Sequence, residues 1–304
     1  MRKNGLGYWL CLTSAVITLC LCLGIIAFLF AKGAPAINWQ FLTESPELTL
    51  DQGLIGGILS PLVGTLLLTT MGILLALPWA AAMAIYLSEY GSDKWWTNLL
   101  RMGNDVLAGV PTIVIALFGL ILFSYPELSF LSMMVEGVEG GRAFGRSFFV
   151  AAITMAVMVL PYVCRVIEEA IRAVPFAYRE ASYALGVSKW RTIRKVVLPA
   201  AGTGIMTGTI LGIGRIAADV AIVWFCLGAT LNFSGPDNWW EPGNWLETLR
   251  SAGGTLTSYI YNASPAGAGN APAKAYGAAL VLVVMILLFN GAVHYINRLA
   301  RMRS

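Results

Sequence analysis

The stretch EASYALGVSKWRTIRKVVLP occupies residues 180–199 and lies in the most basic part of an otherwise strongly apolar chain. After Pro175, residues 176–185 have the small-residue spacing of a short helix, and Gly186 permits a turn. A second short helix over residues 188–197 can begin with Ser188 as its N-cap and end before Pro199. The pattern therefore predicts a helix, a glycine turn and a second helix, in a loop between apolar segments.

The rest of the sequence is too apolar for a soluble domain. Of its 304 residues, 58% are hydrophobic and only 12% are charged, and the mean hydropathy is +0.72. A membrane-spanning helix needs about 20 apolar residues. Runs of that order predict six spans, over residues 8–30, 55–87, 105–124, 147–167, 201–227 and 276–297. We therefore expect an all-α membrane protein of six transmembrane helices, with the basic loop between the fourth and fifth.

The positions of Lys and Arg predict the orientation in the membrane. Cations precede the first span, follow the second, crowd the loop after the fourth and follow the sixth, and cytoplasmic loops carry such an excess. Both termini and the basic loop, residues 165–199, are therefore expected in the cytoplasm. Lys32, Arg250 and Lys274 are exceptions in the alternate loops. The long external segment, residues 232–274, can form a docking surface or a lipid anchor, and the sequence leaves both open.

The prolines and one acidic residue give local expectations within the spans. Pro78, Pro111 and Pro161 each fall inside a predicted span, where proline removes a backbone donor and bends the helix. Asp105 stands at the start of the third predicted span, and we favour an N-cap over a role in a pathway through the membrane. We therefore expect three bent helices, with Asp105 at a helix start.

Several function classes are excluded by what the sequence lacks. It contains no G-x-x-x-x-G-K-[ST], no H-E-x-x-H and no G-x-S-x-G, and its single histidine is His294. The five cysteines fall within predicted spans, so neither a disulfide framework nor a metal site is expected. We assign no catalytic residue and no nucleic acid partner, because the cytoplasmic cations explain the net charge of +4. Transport against a gradient would then need an ion gradient or a separate nucleotide-hydrolysing partner.

Physical arguments alone leave two interpretations of the basic loop. Its cations can hold an amphipathic connector on a surface of anionic lipid. The same helices can instead dock against another protein. The cations in question are Lys189, Arg191, Arg194 and Lys195.

The spacing of the loop resembles the EAA loop of prokaryotic ABC importer permeases, which reads E-A-A, three residues, G, nine residues and I-x-L-P. The positions that fit as they stand are Glu180, Ala181, Gly186, Leu198 and Pro199. Ser182 replaces the second alanine and Val196 replaces the isoleucine. In that family the loop couples transport to an ATPase subunit. The resemblance therefore implies that Ser182 and the fitting positions form an ATPase coupling element.

Further strings resemble the PstA permease subunits of phosphate importers. They are IYLSEYG at 85–91, NDVLAGVP at 104–111, REASYALG at 179–186 and TGIMTG at 203–208. The similarity covers most of the chain from the second span onward. It implies a permease domain over residues 55–304, after an N-terminal helix and external loop over residues 1–54.

This resemblance also implies the setting of the protein. Such a subunit works in a prokaryotic inner membrane with ATP-binding ABC subunits, a second PstC-like permease and an external phosphate-binding protein. ATP and Mg would be used by the ATPase partner, and no cofactor is implied for this chain.

One face of the predicted fifth span is both grooved and charged. At about 100° per residue, one arc of a helix holds Gly204, Gly208, Gly212, Arg215 and Asp219. The glycines let another helix approach closely, and Arg215 can pair with Asp219 at i,i+4. The pair is either a structural contact that fixes helix register, or a pathway site in which Asp219 holds Arg215 until an oxyanion takes its place. We favour the second, because ionisable groups within spans usually mark a pathway.

The chain departs from the family pattern at this pair. PstA-like chains are expected to read R-x-x-G-E-T-A-P, whereas residues 215–222 read RIAADVAI. The arginine and a carboxylate are kept, and the glycine, threonine and proline are not. Phosphate is the expected substrate, with another inorganic oxyanion as the alternative. A secondary anion transporter or channel, and a membrane scaffold that senses transporter state, are alternatives from other classes.

Overall fold

The structure, a computed structural model, describes residues 5–49, 53–91, 94–135, 142–236, 238–267 and 269–302. The helices before the basic loop are α1 (Gly5–Gly33), α2 (Trp39–Thr43), α3 (Leu59–Ile85), α4 (Trp95–Gly109), α5 (Thr112–Phe123) and α6 (Phe148–Arg172). Those of the loop and beyond it are α7 (Phe176–Ala184), α8 (Lys189–Thr192), α9 (Leu198–Ala200), α10 (Gly202–Ala218), α11 (Trp245–Arg250), α12 (Leu256–Ala263) and α13 (Pro272–Met302).

Strands are confined to two short antiparallel hairpins in the described part of the chain. β1 (Pro46–Thr49) pairs with β2 (Gly53–Gly56), with Pro46 opposite Gly56. β3 (Met134–Val135) pairs with β4 (Arg142–Ala143). Both hairpins lie in loops that join helices: the first precedes α3 and the second precedes α6.

Four helical segments are long and apolar enough to cross a membrane unaided. They are Gly7–Ala36, Leu59–Tyr90, Phe148–Arg172 and Pro272–Tyr295, and they match the first, second, fourth and sixth predicted spans. The other two predicted spans correspond to bent helix pairs, with 102° between α4 and α5 and 69° between Lys189–Ala200 and Gly202–Ala218. The described residues thus hold up to six spans, which confirms the predicted fold class.

The third predicted span is broken at Pro111. α4 ends at Gly109 and α5 begins at Thr112, with Val110 extended between them (φ −71, ψ 127). The proline ring disfavours helical backbone in the residue before it, which explains the extended conformation. Our N-cap prediction for Asp105 is wrong, because α4 already begins at Trp95. By contrast, α3 and α6 continue through their internal prolines.

The core of the bundle lies where α3, α6 and α10 pack together. Close approach depends on the glycines of α10, since a Cβ at Gly212 would lie 2.9 Å from both Ile73 Cδ1 and Val163 Cγ2. A Cβ at Gly204 would overlap the side chain of Ala170. The grooved face predicted for this helix is therefore confirmed. The large side chains buried in this core include Leu68, Met155, Met158, Ile167, Ile171 and Ile216.

A second, smaller core joins the segment before α3 to α12 and α13 at the end of the bundle opposite the basic loop. Thr65 of α3 fixes the start of α12, because its Oγ1 accepts a hydrogen bond of 2.8 Å from the backbone N–H of Leu256. α12 is thereby folded back into the bundle. α1, in contrast, packs mainly against α13, and most of its side chains are exposed. The buried residues of this core include Phe41, Leu54, Ile58, Tyr259 and Met285.

Candidate functional site

The basic loop folds as two short helices joined by a glycine turn, as the sequence predicts. α7 begins directly after Pro175, and α8 begins at Lys189 with Ser188 at its N-cap position. Gly186 between them has φ +73. This is the left-handed region, which glycine adopts without steric cost.

The second helix does not end before Pro199, where we expected it to stop. It continues from α8 through a wide turn at Ile193–Val197 into α9, and the chain bends only at Ala201. In the wide turn the backbone N–H of Leu198 donates to the carbonyl of Ile193, five residues back. Because the helix widens just before Pro199, the proline ring and its missing N–H are accommodated at the start of a new turn.

The exposed face of the loop is apolar as well as basic. Phe176 at the start of α7 is 65% exposed, Leu185 directly after α7 is 83% exposed, and Trp190 of α8 is 56% exposed. Large exposed apolar side chains in one short segment are typical of an interaction surface. We call residues 176–190 the loop surface.

Ser182 points inward and joins the two helices of the loop. Its hydroxyl lies 2.8 Å from that of Thr192, and both side chains are buried. The serine that replaces an alanine of the EAA pattern is therefore hydrogen-bonded, as buried hydroxyls usually are. Leu198 is half-buried. The predicted coupling positions that are exposed are Glu180, Ala181, Gly186 and Pro199.

Arg215 of α10 lies half-buried against α6. Its guanidinium carbon is 3.8 Å from the centroid of the Tyr162 ring, and its Nε–H donates to Met158 Sδ at 3.0 Å. The two partners are one helical turn apart, so the arginine stacks on a polarisable and uncharged surface. Among the described residues, the structure shows no hydrogen bond from its Nη groups. The stacking therefore fixes the orientation of the guanidinium, while the N–H groups of Nη1 and Nη2 can still donate hydrogen bonds to an anion.

Asp219 does not pair with Arg215, contrary to our expectation. α10 ends at Ala218 and Asp219 is extended (φ −74, ψ 134), so the two residues do not share a helical face. Oδ1 of Asp219 instead accepts a hydrogen bond of 2.8 Å from the backbone N–H of Ile222. The four ion pairs found within the described ranges include neither residue. Asp219 thus caps the turn that follows the end of α10.

We did not predict Tyr162 and Met158 as partners of Arg215. A signal was present, since Tyr162 is an aromatic residue within an aliphatic run of α6 and a cation inside a span requires some partner. Its hydroxyl also donates to the carbonyl of Ala108 at 3.4 Å. The contact between Arg215 and Tyr162 depends on how α6 and α10 are rotated against each other, and no local sequence pattern predicts that rotation.

The described residues contain no group of three or more His, Cys, Asp or Glu side chains that could hold a metal ion. Of the free cysteines, Cys164 and Cys226 are buried, and those of α1 are exposed. The part of the chain that the structure describes therefore offers no candidate metal centre.

Comparison with known sequences gives a family and several relatives. The family model described as "Binding-protein-dependent transport system inner membrane component" matches residues 72–302. The phosphate transport system permease protein PstA 1 of Mycobacterium tuberculosis is 32% identical, over 99% of this chain and 90% of that protein. The probable ABC transporter permease protein YqgI of Bacillus subtilis is 30% identical, over 93% of this chain and 91% of that protein. The phosphate transport system permease protein PstC of Pasteurella multocida is 28% identical, over 61% of this chain and 60% of that protein.

A solved structure shows the same fold. A chain of the bacterial alginate ABC transporter, in complex with an alginate pentasaccharide-bound periplasmic protein, superposes with a TM-score of 0.60. The match covers 97% of this chain and 96% of that one at 18% identity. The similarity to PstA 1 along almost the whole chain confirms the predicted resemblance to PstA-like permeases. The chain belongs to the binding-protein-dependent transport system inner membrane components, and it is a permease subunit of an ABC importer and not an enzyme.

Proposed function

We propose that this chain carries inorganic phosphate across a prokaryotic inner membrane, as one of two permease subunits in an ABC importer. The support for phosphate is the similarity along almost the whole chain to PstA 1, a phosphate transport system permease. Physical support comes from Arg215, because a guanidinium presents a planar set of donors that suits an oxyanion. A cation inside a membrane-spanning bundle usually marks a pathway.

The observation that carries the proposal is the loop surface at the basic end of the bundle. It exposes Phe176, Leu185 and Trp190, and a docked partner would cover these apolar side chains. We assign that partner as an ATP-binding subunit, which binds ATP and Mg itself. This chain then needs no cofactor of its own. The proposed coupling residues are Glu180, Ala181, Ser182, Gly186, Leu198 and Pro199.

The proposed pathway contains Arg215 and Asp219, in roles that differ from those first expected. Tyr162 holds the guanidinium of Arg215, so an arriving anion does not have to displace a carboxylate. Asp219 acts on the backbone instead, through its hydrogen bond to the N–H of Ile222. We infer that Asp219 fixes the chain where α10 ends, four residues after Arg215, close to the point where Arg215 would meet the anion.

The proposed complex has further partners and a defined orientation. Similarity to PstC supports a second, PstC-like permease that faces this chain across the pathway. An external phosphate-binding protein would deliver substrate to the end opposite the loop surface. The positions of Lys and Arg support a cytoplasmic location for both termini and for the loop surface. ATP-driven closure of the ATPases would then alternate access to the pathway between the two sides.

Reconstitution of the complex tests this function. The chain is placed in proteoliposomes with its candidate PstC-like permease, ATPase subunits and binding protein, and uptake of labelled phosphate is measured against sulfate and molybdate. We expect phosphate uptake that requires ATP and every subunit. Uptake without the ATPase would indicate a secondary transporter or channel, and preferred uptake of sulfate or molybdate would indicate another oxyanion. Full uptake by a complex that lacks this chain would indicate a scaffold.

A further inference from the structure

Arg179 follows Tyr178 on α7, beside the exposed Glu180, but its own side chain points into the protein. The side chain is only 10% exposed and donates four hydrogen bonds. Nε and Nη2 donate to Glu89 Oε1 at 3.0 and 2.6 Å. Nη1 donates to the carbonyl of Val174 at 2.8 Å, and Nη2 donates to that of Ile171 at 3.0 Å. One guanidinium therefore joins the loop surface to residues on two long helical segments.

Glu89 lies at the end of the second span, in the wide helical turn Tyr86–Tyr90 that extends α3. Its side chain is 6% exposed, so the ion pair is largely shielded from water. The next residue makes a second contact with the loop, since Lys189 Nζ of α8 lies 4.6 Å from the centroid of the Tyr90 ring. Both helices of the loop surface thus contact the same end of α3.

The chemistry of this contact makes it stiff. A guanidinium that donates in several directions fixes angle as well as distance, unlike an ammonium group. Separating the two charges would leave each one buried without a counter-charge, which is strongly unfavourable. α3 then packs along α6 and α10, the helix that carries Arg215. A displacement of α7 is therefore transmitted along α3 into the core of the bundle.

We propose that Arg179 and Glu89 form a positioning pair that makes the loop surface and the end of α3 move as one body. Closure of the ATPase then reaches the pathway through α3, in addition to the route along the chain from α9 into α10. Without the pair, α7 can pivot on the short connection at residues 173–175 while α3 stays in place. This inference rests on the proposed docking of an ATPase subunit on the loop surface.

The test compares the pair with a matched ion pair that stays within one helix. Glu89→Gln and Arg179→Lys are compared with Glu169→Gln and Arg165→Lys, whose native side chains are 72% and 69% exposed on α6. In each full complex we measure bound ATPase subunit, basal ATP hydrolysis and the ratio of phosphate transported to ATP hydrolysed. We expect the first two variants to keep the ATPase and to lower the ratio about tenfold. The matched variants should change it less than about twofold.

An unchanged ratio in Glu89→Gln and Arg179→Lys would overturn the proposal. Should these variants fail to assemble, a covalent replacement decides the question. Glu89→Cys and Arg179→Cys are combined in a chain whose five native cysteines are replaced by alanine, and a short bismaleimide bridges them. The bridge should restore assembly and the ratio, and a ratio that stays low after verified bridging would contradict a positioning role. Failure of the proposed function is separate, because the unaltered chain would then bind no ATPase subunit or transport no phosphate.

Discussion

Arg215 is kept inside an apolar bundle by an aromatic ring and a thioether, and none of the ion pairs in the described part of the chain includes it. A cation stacked on an aromatic face gains about 0.5–2 kcal/mol, depending on how far the site is desolvated. The contacts to Tyr162 and Met158 are therefore strong enough to orient the guanidinium and weak enough to let it bind an anion. A buried ion pair with Asp219 would have bound it more firmly.

Replacing Arg215 tests whether its guanidinium meets the substrate. We expect Arg215→Ala to lower ATP-dependent phosphate uptake by about 10- to 100-fold, the loss that corresponds to hydrogen bonds to a charged group. Arg215→Lys should lose less, because it keeps the charge but not the planar set of donors. Uptake is measured in proteoliposomes with equal amounts of assembled complex.

The control for this prediction keeps the ring beneath the guanidinium. Tyr162→Phe loses only the hydroxyl that donates to Ala108 at 3.4 Å, so uptake should stay close to that of the unaltered complex. Tyr162→Leu removes the aromatic face and should impair uptake. Normal transport by Arg215→Ala in an assembled complex would contradict a substrate role for Arg215.

The shape of the loop surface depends on one glycine turn between α7 and α8. Gly186 has φ +73, and a Cβ placed on it meets nothing within 4 Å among the described residues. Within this chain, the effect of a substitution there is therefore conformational and not due to a clash. The turn fixes the angle between α7 and α8, and with it the shape of the loop surface.

Substitution of Gly186 should weaken ATPase binding in the order of left-handed propensity. Gly186→Ala forces a residue with a Cβ into this region at a cost of about 1–2 kcal/mol. Gly186→Asn should cost less, because asparagine adopts this conformation more readily. Binding of the ATPase subunit to the permease complex in nanodiscs measures the difference. Equal affinities for the alanine and asparagine variants would show that φ at this turn does not control docking.

The glycines of α10 allow a comparison within one helix. Gly204 packs against Ala170, whereas a Cβ at Gly214 would enter open space. Alanine at either position gains helix propensity of about 1 kcal/mol over glycine. Gly214→Ala should therefore keep or raise the thermal unfolding temperature in detergent, while Gly204→Ala should lower stability by about 1–3 kcal/mol through overpacking. A decrease of equal size in both variants would contradict the close approach of α6 and α10.

The length of each apolar run in the sequence predicts the long spans of the molecule, because α1, α3, α6 and α13 are each one continuous apolar helix. It fails for α4 and α5, since a hydropathy sum does not register the change of direction at Pro111. At the candidate functional site, too, local features can be predicted from the sequence, whereas contacts between helices cannot. The turn at Gly186 follows from a local backbone preference, and Ser188 takes the predicted N-cap position of α8 without a capping hydrogen bond from its side chain. The partners of Arg215 do not follow from a local preference, because they lie on another helix.

Two of the three cations that break the charge pattern, Arg250 and Lys274, have structural roles at the end opposite the loop surface. Lys274 Nζ donates to the carbonyls of Leu54 and Gly56 at 3.0 Å. Arg250 Nη2 donates to the carbonyls of Ser129 and Ser132 at 3.2 Å. These two cations hold loops together, so they do not weigh against placing the basic end in the cytoplasm.

Cysteine labelling tests the orientation of the whole molecule. Ser188→Cys on the loop surface and Gly243→Cys in the opposite segment are both exposed, and each is introduced into a chain whose native cysteines are replaced by alanine. A membrane-impermeant maleimide should label Gly243→Cys in intact cells and Ser188→Cys only after the membrane is opened, because positive charge is retained on the cytoplasmic side. The cysteine-free chain controls for background, and equal labelling after permeabilisation controls for exposure. Labelling of Ser188→Cys from outside would put the loop surface out of reach of ATP, which would remove the basis for ATPase coupling.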